Sequence, residues 1–447
     1  MGPVTVLASF LAETDLGELP ATAIDHAKMA LASTLGSAAA GVEQRSTRIA
    51  RDLAAQRGGV PEATVWFDGG TRLPVTEAAR INAMRSDAAA CDDADFRTMA
   101  HIGTTVASVA LAVGERAGCS GREVLGAMVC GYEACGRFGE ATAPQLGERG
   151  FHPALLGGFG AAACAAKLLQ LPARQWLDAF SLAAASAAGL LVGSDGWTRE
   201  YQAGAAVATG LSAALAAAYG YQAPEHLIDG PRGFLATFAG EADTDALTGG
   251  LGLEWDIASE LGIKMRPGGY PFAAAVEAAI EAARNGGIEP EDVARVTVSG
   301  PSLRAMVGPR HPRDFVEAIH SLAYYVAAGI ADQEFSWRHA SAARLDEPRT
   351  VGLLDLIEVV PNPADARFEF RWGATVTITT HGGAVSASTV DVPWGAARRG
   401  IKWQDVETKV RVLMGDAGHE EAAVAALLRD VRNLDGAEGV ADLATRL

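Results

Sequence analysis

The fold class this chain predicts is mainly α: a large all-α helical domain with a smaller α+β lid domain inserted into it. Three observations carry the prediction. Apolar residues recur at helical spacing almost without interruption from about residue 3 to 255. Beyond Lys264 the texture changes, and runs that alternate apolar with polar residues read as strands. From about residue 394 the helical pattern resumes, so a chain that has left one domain returns to it. The expected division is 1–261 and 394–447 for the helical domain and 262–393 for the insert. Two domains also suit a chain of 447 residues, because single cores stop growing at about 250–300.

Within the helical domain, Ala21 to Ala40, Thr104 to Ala117, Gly121 to Phe138, Gly157 to Leu169, Ala173 to Leu190 and Ala203 to Tyr219 mix Ala and Leu with polar residues at the helical period. Breakers fall between them. Gly118-Cys119-Ser120-Gly121 is a turn, and Leu171-Pro172-Ala173-Arg174 is a helix entry, since proline suits a first turn. In the insert a helix from about Phe272 to Arg284 stops at Asn285-Gly286-Gly287, Val293 to Val298 reads as a strand, and Asp314 to Ala331 reads as a helix. Ala374 to Thr380 and Ala384 to Val392 read as strands joined at His381-Gly382-Gly383. In the first of these, Val376 and Ile378 alternate with Thr375, Thr377 and Thr379, the period of a sheet with one buried face. The tail reads as two helices, Trp403 to Leu413 and His419 to Arg432.

Composition narrows the function classes. Hydrophobic residues make up 49% and aromatics only 6%, so the core is built from Ala, Leu and Val, whose small side chains let helices approach closely. A net charge of -17 repels phosphate backbones and anionic headgroups, which argues against nucleic-acid and membrane partners. An anionic substrate then needs a local cluster of Arg or Lys. Five cysteines, an odd number without paired metal-ligand spacing, build neither a disulfide framework nor a zinc site, and a reducing cytoplasm is expected. Met1-Gly2-Pro3-Val4 lacks the basic start and apolar stretch of a signal peptide.

Two histidine segments concentrate the chemistry. Cys91-Asp92-Asp93-Ala94-Asp95-Phe96 runs on to His101, and His152 sits in Gly150-Phe151-His152-Pro153. Imidazole titrates near neutrality and a nearby carboxylate tunes it, so both read as proton-transfer groups at helix entries, where carboxylates are attracted. Each has a bland reading as a capping or core histidine, and the three acids as a solvated loop. Asp93 is the acid expected to tune a histidine; Cys91, Asp95 and Arg97 flank it as substrate-binding candidates. Further cations are Arg199, Lys264 and Arg266, the last two in the Gly/Pro-rich stretch Gly262 to Pro271 at the expected domain junction, where clefts form. Tyr324 or Tyr325 offers a hydroxyl. Without a His-x-x-x-His pair or an EF-hand spacing, no metal is expected. Gly157, Gly158 and Gly160 follow no strand, so no nucleotide is expected either.

Taken in order, these segments resemble the MmgE/PrpD family. Ala63-Thr64-Val65-Trp66, Ile81-Asn82-Ala83, the acidic segment to His101-Ile102-Gly103, Gly150-Phe151-His152-Pro153, Gly230-Pro231-Arg232-Gly233-Phe234, Lys264 near Pro267, and His320-Ser321-Leu322-Ala323-Tyr324 carry the resemblance through nearly the whole chain. It implies a helical domain with an inserted lid, a homodimer, and cofactor-independent chemistry on small polycarboxylates. It also implies active-site roles for His152, Lys264 and Tyr324, and more loosely for His101. Three departures bear on substrate. Ala90-Cys91-Asp92-Asp93-Ala94 stands where such members commonly have Asp-Phe-Asp-Asp-Thr, so the acid pair is kept and the first Asp and the Thr are lost. Arg199 and Gln202 replace a lysine and a histidine, and a histidine five residues beyond the lid lysine falls on Gly269.

The function this implies is a cofactor-independent lyase of the dehydratase type. It removes a proton next to a carboxylate of a small hydroxy-polycarboxylate, with one histidine as base and the other as acid. An epimerase of a small dicarboxylate shares the first step, and an inactive carboxylate-binding homologue is the third reading.

Overall fold

The structure is a computed structural model describing residues 2–224, 226–304, 307–360 and 370–447. It is mainly α. Among the described residues no helix is long and apolar enough to cross a membrane. The chain packs as two compact units, 1–263 together with 402–447, and 264–401.

In the first unit the helix Gly157–Leu168 is buried on nearly every side, as its run of Gly, Ala, Cys and Phe requires. Helices Ile102–Ala117, Gly121–Thr142, Ala173–Ala185 and Thr198–Ala218 surround it. Close approach is the reason for the small residues. A Cβ on Gly210 would lie 2.1 Å from the Gly158 carbonyl, and one on Gly131 would lie 2.8 Å from the Gly160 carbonyl. Where aromatics do occur they cluster, with Phe138 stacked on Phe159 at 3.9 Å between ring centroids. Ser120 and Glu123 form a capping box at the start of Gly121–Thr142.

Helix Gly121–Thr142 runs four residues past the expected Phe138, and two further helices differ more from the sequence reading. Ala173–Ala185 stops at Ser186, because Phe151 and Leu190 form a bridge that draws the following residues into extended backbone. Thr198–Ala218 starts five residues before the expected Ala203, which places Arg199 and Gln202 within it. A short strand, Asp93–Asp95, pairs antiparallel with Leu261–Ile263. Nothing in its acidic sequence announces it.

The second unit is built on a four-stranded sheet ordered Ile357–Val359, Val293–Ser299, Ala374–Thr380, Val385–Val390. The hairpin at His381-Gly382-Gly383 forms where the turn residues place it, with Thr380 N–H donating to the Ala384 carbonyl at 2.9 Å. Helices Ala273–Gly286 and Leu322–Asp332 supply Val276, Ile280 and Tyr325 to the core that buries Val296, Val298, Val376 and Ile378. The single helix expected from Asp314 to Ala331 is two, Phe315–Ile319 and Leu322–Asp332. Ser321 breaks it by capping the second, its hydroxyl accepting from Tyr324 N–H at 3.1 Å.

Candidate active site

The helix Ile102–Ala117 begins at His101, and its first turn is held by a buried acid. Asp93 accepts from Gly103 N–H at 2.8 Å, from Thr104 N–H at 3.3 Å and from the Tyr132 hydroxyl at 2.8 Å. A carboxylate at a helix N-terminus is stabilised by the exposed N–H groups there. Burial and the neighbouring charge of Asp92 nevertheless push the Asp93 carboxyl up. Asp93 therefore anchors the backbone on which His101 is mounted.

The acids at the ring itself are Asp87 and Asp92. His101 Nδ1 lies 2.6 Å from Asp87 Oδ1 and 2.8 Å from Asp92 Oδ2. The histidine side chain is 18% exposed and those of the two acids 2% and 0%. Arg199 braces the far side: its Nε donates to Asp87 Oδ2 at 2.9 Å and another guanidinium nitrogen to the Asp87 carbonyl at 2.8 Å. Burial alone would push Asp87 up, but the charges of Arg199 and His101 prevail and hold it at about 2. Asp92 accepts from the Thr104 hydroxyl at 2.9 Å. Its carbonyl accepts from Lys409 Nζ at 3.2 Å, and that ammonium also donates to Ser33 Oγ at 2.7 Å.

His152 opens the short helical turn Pro153–Leu156, and its Nδ1 accepts from Ala154 N–H at 3.0 Å. Its own N–H donates to the Gly189 carbonyl at 3.2 Å. The next residue, Leu190, donates its N–H to Gln202 Oε1 at 2.6 Å. Gln202 and Arg199 lie three residues apart on one helix, about 4.5 Å along its axis and on the same side. That helix thus braces the His101 acid with one side chain and the His152 loop with the other. The starts of the histidine-bearing helices also touch, since a Cβ on Gly157 would lie 2.8 Å from Thr105 Oγ1. The segments that carry the two histidines are thereby tied to one helix, Thr198–Ala218.

Other expected residues lie elsewhere in the arrangement. Cys91 is buried beside Asp92 in the chain. Asp95 Oδ1 accepts from the Arg97 and Thr98 N–H groups at 3.1 and 2.8 Å, and burial pushes Asp95 up to about 6 despite Arg97. Arg97 pairs with Glu140 and Asp256, with Glu260 3.9 Å away. Both Arg97 and Arg199, expected as substrate cations, are therefore matched by the protein's own carboxylates. In the second unit Lys264 is buried and directly follows the strand that pairs with Asp93–Asp95. Arg266 stacks 5.3 Å from the Trp394 ring and lies 4.0 Å from Glu277. The Tyr324 hydroxyl donates to the His339 carbonyl at 2.6 Å, and burial pushes it up to about 12. Asp87 and Gln202 enter the site without having been expected as site residues. Asp87 has one sequence signal, an acid in the last turn of the mostly buried helix Val75–Ala88.

Among the described residues one donor set is compatible with a metal: oxygens of Asp87 and Asp92 and a His101 nitrogen lie within 4.8 Å of one another. The same Nδ1 already stands at hydrogen-bond distance from both oxygens, and Arg199 brings its positive charge to Asp87. These residues fit an imidazole hydrogen bonded to acids better than a divalent cation.

The MmgE/PrpD N-terminal domain model matches residues 5–247 and the C-terminal domain model residues 267–433. The chain belongs to the MmgE/PrpD family. Among its relatives, cis-aconitate decarboxylase of Homo sapiens is 24% identical over 444 residues, covering 97% of this chain and 92% of the relative. MmgE/PrpD membership accounts for the order of the motifs from Ala63 to Tyr324.

Proposed function

We propose that this protein is a lyase that removes a proton next to a carboxylate of a small hydroxy acid and then expels hydroxide from the neighbouring carbon. The observation that supports the reading is an imidazole against two buried carboxylates, on a segment braced by the same helix as the loop beside His152. A relative named for decarboxylating cis-aconitate supports a carboxylate substrate. In this reading one histidine is base and the other acid. Lys264 and Arg266 supply positive charge to the dianion that develops beside the carboxylate, which water stabilises poorly. Tyr324, with its hydroxyl proton on a carbonyl, serves by packing. The reaction needs no cofactor, and a reducing cytoplasm suits the five free cysteines. Exposed Leu190, Leu191, Val192, Trp197 and Tyr201 support a homodimer, because so much apolar surface on one short segment gains by being covered.

Proton NMR of a panel of di- and tricarboxylic hydroxy acids in deuterated water tests this. An alkene signal is expected from at least one of them. Exchange with inversion and no alkene makes the protein an epimerase instead, and binding without turnover makes it a carboxylate-binding homologue. On the active substrate His152→Ala lowers turnover by on the order of a hundred- to ten-thousand-fold. A fully active variant removes His152 from the mechanism.

A further inference from the structure

We infer that the two histidines are locked in opposite tautomers, so that His101 takes the substrate proton at Nε2 and His152 gives one from Nε2, with Asp87 as the positioning residue that sets this direction. The inference deepens the lyase reading and rests on it for the reaction, although the tautomers stand by themselves.

A neutral imidazole has one N–H and one lone pair, and the partner of one nitrogen decides the other. At His152, Nδ1 accepts from the Ala154 N–H at 3.0 Å. The lone pair is on Nδ1 and the proton on Nε2. At His101, Nδ1 faces Asp87 Oδ1 at 2.6 Å. Asp87 stays ionised beside Arg199, so it only accepts, and Nδ1 must carry the proton. The lone pair is then on Nε2. The two rings present reactive nitrogens of opposite character, as an elimination requires.

Asp87, in the last turn of the helix Val75–Ala88, brings a buried carboxylate to the ring. Among the described residues the charged groups around His101 include Asp87 and Asp92 on Nδ1, Arg199 behind Asp87, Lys409 on the Asp92 carbonyl, and Asp93 under the helix start. The acids stabilise the imidazolium formed when Nε2 takes the proton.

The step balances. The C–H bond next to the carboxylate breaks, its proton bonds to His101 Nε2, and its electron pair becomes the second bond of the alkene. The neighbouring C–O bond breaks with its pair on oxygen, which takes the His152 Nε2 proton and leaves as water, and His152 is left as an imidazolate whose Nδ1 lone pair still accepts from the Ala154 N–H, a neutral imidazole acting as the acid. His101 then loses a proton and His152 regains one, restoring both rings.

Full-length protein labelled with 15N-histidine decides the tautomers by two-bond proton–nitrogen NMR above neutral pH, with signals assigned through His101→Gln and His152→Gln. The expected result is an Nδ1–H ring at His101 and an Nε2–H ring at His152. Asp87→Asn should lower the His101 pKa and leave His152 unchanged. An Nε2–H ring at His101, or one that stays doubly protonated well above neutrality, overturns the inference whether or not the Asp87 variant folds. The second arm uses the acid found in the substrate panel. His101→Gln should abolish deuterium entry into the substrate. His152→Gln should keep that entry while product formation falls by about a hundredfold or more. Equal loss of deuterium entry in both variants overturns the direction. If no acid turns over, the lyase reading fails and the tautomer result still stands or falls separately.

Discussion

The Tyr132 hydroxyl shows how far single atoms fix this site, because it reaches 2.8 Å across the bundle to the carboxylate that starts the His101 helix. Tyr132→Phe leaves that buried acid one donor short. A lost hydrogen bond to a charged group costs about 1.5–3 kcal/mol, so the denaturant midpoint should fall with little change in slope. Gly103→Ala should cost stability in the same assay, since its Cβ would meet the Asp93 carboxylate at 2.8 Å. At this scale the sequence was half legible. His101 and His152 stand out because Gly, Pro and acids crowd around them. The partners of His101 do not: Asp87 meets Arg199 across 112 residues, and no local pattern records that meeting. Asp93 was legible as important, but for a different job, as Gly103 and Thr104 draw it to the helix start.

Among the elements, those with a strong local signal formed as read. The hairpin at 381–383 has its turn chemistry written into it, and the long Ala-Leu helices have their period. The strand Asp93–Asp95 has neither, for its three residues are extended only because Leu261–Ile263 pairs with them. The early end of Ala173–Ala185 is also a tertiary matter, set by the bridge between Phe151 and Leu190. Helix Thr198–Ala218 matters most for the candidate site, because its crossing with Gly157–Leu168 fixes where Arg199 and Gln202 stand. Gly210→Val forces that crossing apart and should cost about 1–3 kcal/mol or more. Thermal unfolding checks the stability, and the Asp87 signals in a carboxyl NMR spectrum should shift as the Arg199 brace moves.

For the molecule as a whole, buried acids set how stability depends on pH. Asp95 is pushed from 3.8 to about 6 by burial, and Asp256 and Glu133 are pushed up in the same neighbourhood. An acid raised in the folded state contributes stability that is complete below its ordinary value and lost as pH rises through the raised one. The folded protein should therefore gain stability on mild acidification from neutrality. Asp95→Asn should remove about 3 kcal/mol of that dependence between roughly pH 4 and 6, read from unfolding curves at each pH. Asp87 works in the opposite sense, with a contribution lost only as pH falls towards about 2. The returning helix Trp403–Asp416 has a consequence for synthesis. Lys409 ties it to the Asp92 carbonyl and to Ser33, residues made more than three hundred positions earlier. A ribosome that has released everything up to the insert has therefore not yet produced the ammonium that steadies the acid beside His101, and the surroundings of that histidine are among the last parts of a newborn chain to mature.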